Sequence, residues 1–191
     1  MDKLWWYTAR SAGLVSMALL AASVLWGLAL STAPRGARPR PAWRLDLHRY
    51  LGGLSVIFVG VHVAGILLDS FISFHLVNVL VPFTSSWKPV AISLGVVALY
   101  LLAAVELTSL ARKQLPRPLW RRLHFLSFPL FLLAEGHMLL SGTDAGSPLV
   151  LGTLVVVNVA VVALTTRRVL QAQAAAEARR EIPLAEPAIS R

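Results

Sequence analysis

The 191-residue chain has no cysteine. That excludes disulfides, iron–sulfur clusters, covalently attached c-type heme and thiolate zinc sites, so any metal centre must use histidine, carboxylate or methionine. Charge is scarce too: 14% of residues are charged and 57% hydrophobic, with a mean hydropathy of +0.68. Such a chain is neither disordered nor an ordinary soluble domain. Acidic residues number 9 against 18 Lys and Arg, a net charge of +9. A basic balance suggests nucleic acid only if the cations share one soluble surface, so their placement decides the matter.

What is abundant is long apolar sequence. A helix needs about 20 apolar residues to cross a bilayer. Five stretches qualify, over about 8–31, 48–69, 89–111, 121–142 and 147–167, and none alternates with the period of a strand. The fold class expected is an all-α integral membrane bundle of five helices. A sixth stretch, 70–87, has an apolar core of only about 11 residues before Pro82, the length of a short interfacial helix rather than a span. The cations agree. Arg35, Arg38, Arg40, Arg44 and Arg49 follow the first span; Arg112, Lys113, Arg117, Arg121 and Arg122 follow the third; Arg167, Arg168, Arg179, Arg180 and Arg191 follow the fifth. Five crossings put all 15 on one side, leaving Lys3, Arg10 and Lys88 on the other. By the positive-inside rule the N-terminus is expected outside, the C-terminus in the cytoplasm and 70–88 on the outer surface of a cell membrane. The charge is thus a topology signal with lipid contacts, and nucleic acid is not an expected partner. The weak Ala29-Leu30-Ser31 resemblance to a cleavage site does not make the first span a signal peptide, because its apolar run is too long and the segment after it is basic. Residues 1–168 are read as one membrane domain, with 31–45 irregular and 169–191 a tail that starts helical and frays at Pro183 and Pro187.

Ionisable residues inside spans mark function. Four of the five histidines lie on the second and fourth spans: His48 and His62, 14 residues apart, and His124 and His137, 13 apart. These spans run in the same direction, and at 1.5 Å per residue the separations are about 21 and 19.5 Å. The four therefore form two pairs at matched depths, His48 with His124 and His62 with His137. Neutral imidazole is a good axial ligand for heme iron, and bundles build such sites between facing helices. The rotation is less tidy. At 100° per residue His62 returns to within about 40° of His48, but His137 lies about 140° from His124, so Pro129 is expected to kink the fourth span. His75 has no partner at its depth and reads as an interfacial residue.

The phrases LHRYLGGLSVIFVGVHV at 47–63 and WRRLHFLSFPLFLLAEGHMLLSGTD at 120–144, with the spacings His48-x13-His62 and His124-x12-His137, resemble the ferric reductase-like transmembrane domain. This family includes ferric reductases, the membrane part of NADPH oxidases, and the heme-binding subunit of the bacterial methionine-sulfoxide reductase system. ELTSLARKQLPRPLWRRLH at 106–124 looks like a bacterial, actinobacterial version. The resemblance implies two b hemes per chain, ligated by His48 with His124 and by His62 with His137, and electron transfer across the membrane. Full-length ferric reductases append a flavin and nicotinamide domain. Here 24 residues follow the fifth span and no G-x-G-x-x-G unit occurs, so a separate flavoprotein or quinol donor and an extracytoplasmic acceptor are expected. A bound flavin or quinone is compatible with this, but no residues locate one. Two alternatives stand beside it: a subunit feeding a separate extracytoplasmic reductase, and a non-redox transporter or structural subunit.

Heme propionates seek cations. Arg49, Arg121 and Arg122, with Arg44 close by, are candidates on the cytoplasmic side, and Arg10 and Lys88 on the outer side. Arg10, inside the first span, needs a counter-charge, either a propionate or Glu135. Gly52 and Gly53, with Gly60 and Gly65, would let a flat porphyrin approach the second span. Glu106 is expected to snorkel to cytoplasmic arginines, Asn158 to hydrogen-bond between helices, and Phe125, Phe128 and Phe131 to pack.

Overall fold

A computed structural model describes residues 3–32, 41–70 and 74–180. It contains seven helices and, among the described residues, no strand. They are α1 (Leu4–Thr32), α2 (Trp43–Leu68), α3 (Leu76–Leu80), α4 (Pro89–Leu110), α5 (Arg117–His124), α6 (Ser127–Ser141) and α7 (Pro148–Arg180). Five helical stretches are long and apolar enough to cross a membrane: α1, α2, α4, Arg117–Ser141 taken together, and α7. The chain is an all-α membrane protein of five candidate spans. Proline opens α4 and α7, where a missing N–H costs nothing because the first turn has no acceptor for it. Lys88, just before α4, takes a left-handed conformation (φ 43°) that turns the chain into the helix.

Packing follows side-chain size. α2 lies along α1, and a Cβ at Gly65 would meet the backbone of Ala9 at 2.9 Å, so only glycine allows that approach. The Trp26 indole on α1 donates to the Arg44 carbonyl at 2.8 Å where the pair begins. α6 lies along α4, with Ala98 and Leu102 packed on Leu130. The two pairs meet where Met17, Ala21, Val24 and Leu28 of α1 enclose Phe131, which is 1% exposed. α7 closes the bundle against α1. Asn158 on α7 donates to the buried Glu135 carboxylate on α6 at 2.5 Å, and Gln171 donates to the Thr32 carbonyl at 3.2 Å. Large apolar side chains cover the outside, Leu110 being 80% exposed and Leu149 79%. In water such a surface would aggregate; in a bilayer it is the solvent-matched face.

Four expectations need adjustment. The fourth span is not one kinked helix: it breaks between His124 and Ser127 into α5 and α6. Pro129 has no N–H for the Phe125 carbonyl, which accepts instead from Phe128 at 3.2 Å, while Leu126 bonds back to Leu123 at 3.0 Å. Such i−3 turns advance about 120° per residue rather than 100°, and so close part of the 140° shortfall between His124 and His137. The interfacial helix is shorter than expected. It is limited to Leu76–Leu80, with residues 71–73 outside the described part. The His75 N–H bonds to the Asn78 side chain at 2.9 Å, and Thr84 Oγ1 caps the Val77 and Val81 carbonyls, which ends the helix before Pro82. The fifth span continues unbroken through the first part of the tail to Arg180. The irregular loop and the frayed tail end fall partly on residues 33–40 and 181–191, outside the described residues.

The fourth adjustment concerns Arg10. Its partner is Asp144, in the α6–α7 connection, and not Glu135. Nε donates to Oδ2 at 2.5 Å and Nη2 donates to Oδ1, a two-bond fork that ties α1 to that connection, while the guanidinium lies 5.0 Å from the Trp6 ring centroid. These hydrogen bonds hold the Asp144 carboxyl below the usual carboxylate range. A carboxyl lowered in the folded state stabilises fully above its unfolded value of about 3.9, and the contribution is lost as pH falls through the folded value. Asp144→Asn is therefore expected to melt a few degrees below the parent in detergent near neutral pH. The gap should narrow once pH falls below about 3.9, as thermal scans at several pH values would read.

Candidate functional site

The four span histidines form two pairs. His48 and His124 have ring centroids 6.0 Å apart at 79°, and His62 and His137 lie 6.3 Å apart at 80°. The first pair lies at the face carrying the α4–α5 connection and its cations, the basic face. The second lies toward the face carrying α3 and the α6–α7 connection. The tiers are separated by about 20 Å along the helices, from the 1.5 Å rise.

Each imidazole is held by the neighbouring helix. His62 Nδ1 donates to the Ala9 carbonyl at 2.7 Å, His137 Nδ1 to the Ala91 carbonyl at 2.8 Å, and His48 Nδ1 to the Ser23 carbonyl at 3.1 Å. A carbonyl only accepts, so Nδ1 carries the proton and the neutral ring keeps its lone pair on Nε2, the state a metal needs. His124 differs. Its Nδ1 has only the Ser109 hydroxyl, at 3.4 Å, and its ring stacks on Trp120 at 5.2 Å and 21°.

A heme iron between two imidazoles, with Fe–N near 2.0 Å and roughly 1.1 Å from each nitrogen to its ring centre, requires a centroid separation of about 6 Å. Both pairs meet it. Among the described residues no group of three or more His, Asp or Glu side chains could hold an ion. Two imidazoles are too few for a closed protein-only site, but they complete the coordination of a metal already held in a macrocycle. A cavity of ≈ 980 Å³, mostly apolar, is lined by His62 and His137 together with Arg10, Trp6 and Lys3. The residues present fit heme.

Residues 12–134, from α1 into α6, match the family described as ferric reductase like transmembrane component. The chain belongs to that family. The match takes in His48, His62 and His124 and stops three residues before His137. Comparison with curated proteins and with solved structures returned no match.

Sequence reasoning overlooked three glycines that this ferric reductase-like bundle uses. A Cβ at Gly13 would meet His62 Nδ1 at 2.9 Å, at Gly95 His137 Nδ1 at 2.7 Å, and at Gly27 His48 Cε1 at 3.1 Å. Each glycine lies four residues after the carbonyl that its histidine uses: Ala9 and Gly13, Ser23 and Gly27, Ala91 and Gly95. The residue at i+4 normally covers the second lone pair of carbonyl i, and glycine leaves it open to an imidazole. The signal was in the sequence: an Ala/Ser-x3-Gly unit occurs at all three places, and Gly13 and Gly27 repeat the 14-residue spacing of His48 and His62.

The glycines expected to admit a porphyrin have different surroundings. Gly52 makes room for Glu106, whose Oε1 would be 2.6 Å from a Cβ there, whereas Gly53 and Gly60 have nothing within 4 Å. Glu106 has no arginine partner among the described residues, contrary to the expected snorkelling. The cations are also dispersed. Arg49 pairs with Asp46 at 3.2 Å, Arg121 and Arg122 are exposed, and Lys88 donates to the Leu140 carbonyl at 2.8 Å. Of the candidates, Arg10 lines the cavity. Phe131 packs as expected, while Phe125 lies under Arg168, 5.1 Å from its ring centroid.

Gly95→Ala forces a methyl onto a constrained imidazole, and overpacking of this kind costs about 1–3 kcal/mol. Gly53→Ala meets open space and gains helix propensity of up to about 1 kcal/mol. Unfolding titrations should place Gly95→Ala below the parent and Gly53→Ala at or above it.

Proposed function

We propose that the chain is a b-type heme protein of the cell membrane that moves single electrons across the bilayer through two bis-His sites, one per histidine tier. The observation that carries the reading is the pair of imidazole tiers, each at the separation an intervening iron requires, with Nδ1 engaged on a flanking carbonyl in three of the four rings. Bound there, heme b would supply reversible one-electron chemistry.

The chain's own residues do the rest. His48 and His124 would hold one heme at the basic face, and His62 and His137 the other heme at the opposite face. The carbonyls of Ser23, Ala9 and Ala91 hold proton and ring in place and raise ligand basicity. The apolar lining would exclude water and set the local dielectric, while Arg10, held by Asp144, lines the cavity. We place the basic face in the cytoplasm by the positive-inside rule, with residues 1–168 as the membrane domain and 169–191 as a cytoplasmic tail. Electrons then enter from a separate donor, a flavoprotein or a quinol, and leave to an acceptor on the extracytoplasmic side.

Purified full-length protein expressed with ample heme should bind two hemes per chain and show a sharp reduced α band. His62→Ala and His137→Ala should each lower the stoichiometry to one by removing the same heme, and His48→Ala and His124→Ala should remove the other. No Soret absorption in the parent would refute the redox reading and leave a non-redox membrane subunit.

A further inference from the structure

His124 is the one ligand candidate without a backbone carbonyl on its Nδ1; its hydrogen-bond partner is the Ser109 hydroxyl, at 3.4 Å. A contact that long orients a ring poorly. What lies on the imidazole instead is Trp120, four residues earlier and so one turn away on the same face of α5, stacked at 5.2 Å and 21°. The indole has a second property. Its Nε1 is buried and has no hydrogen-bond partner among the described residues. Indole N–H is a donor only, and when buried it nearly always finds an acceptor. Arg121 and Arg122 of the same short helix are exposed, so the buried, unpartnered side-chain donor on α5 is the indole stacked on His124.

The geometry points to Trp120 as a positioning residue of the basic-face tier, fixing the His124 ring by stacking while its indole N–H donates to a propionate oxygen of the heme bound between His48 and His124. This rests on the heme reading above. It assigns to a neutral donor a role that sequence reasoning gave to arginine. Arg49 is engaged by Asp46, and Arg121 and Arg122 are exposed, so none of the three is committed to that tier. A bound heme would supply the acceptor that the indole lacks, since its edge carries two carboxylates.

The test uses the full-length, heme-loaded protein and follows heme transfer to an excess of a soluble apo-heme scavenger, resolving the two tiers through the His→Ala variants. Trp120→Phe keeps a stacked ring and removes the N–H. It should still bind two hemes, lose the basic-face heme roughly tenfold faster, the weight of one hydrogen bond to a charged group, and leave the other tier unchanged. Reconstitution with a heme whose two propionates are replaced by methyl groups, which offers the indole no acceptor, should make parent and Trp120→Phe equal. Resonance Raman of the indole N–H supplies a readout that needs no variant: loading heme into the parent should convert one free indole to a hydrogen-bonded one, and loading the propionate-free heme should not. Equal loss rates with ordinary heme, a difference that persists with the propionate-free heme, or an indole signal that ignores heme loading each overturn the assignment while leaving the two-heme reading intact. A parent that takes up no heme overturns that reading and this inference with it.

Discussion

The structure depends on a hydrogen bond between an imidazole and a helix backbone that already has its own partner. A carbonyl inside a helix is bonded to the N–H four residues on, and in a bilayer it has no water to offer its second lone pair. Placing a glycine at that fourth residue exposes the lone pair to a neighbouring helix. α1 does this twice, at Ala9 and Ser23, and α4 once, at Ala91. The helices that carry no histidine are thus the ones that determine how the histidines stand. α1 lies along α2 and α4 lies along α6 because each pair is joined through these contacts as well as through packing.

Three other polar contacts work in the same way. Arg10 is matched by Asp144, Glu135 by Asn158, and Lys88 by a carbonyl, and each contact ties separate parts of the chain together. Glu135 and Asn158 fasten α7 to α6 through the buried interior, where α7 otherwise offers mostly apolar side chains to lipid.

Five spans, a short surface helix and two histidine tiers were legible because long apolar runs, basic loops and helical rise are one-dimensional properties. Which polar side chains would meet was not. Arg10 and Asp144 are 134 residues apart, and Asp144 lies in a connection whose path no periodicity describes. Glu135 looked like its partner because depth could be estimated while azimuth could not. The same limit hid the glycines: Gly13, Gly27 and Gly95 lie on helices without histidine, and their relevance emerges only when those helices are set against α2 and α6. Conversely, Gly53 and Gly60 share a helix with two histidines, and a Cβ at either would have nothing within 4 Å. The rotational mismatch in the fourth span was legible as a problem, and Pro129 as the place of its remedy; the two-piece solution was not.

That solution has a mechanical corollary. Because α5 and α6 are separate rods joined at Phe125 and Leu126, the angle of His124 is not dictated by that of His137. On the α2 side a single rod couples His48 to His62, so any tilt there is shared. Arg168 of α7 lies over Phe125, 5.1 Å from its ring centroid, so α7 touches the fourth span at the joint itself. One half of the bundle is a fixed ruler, and the other is a jointed one.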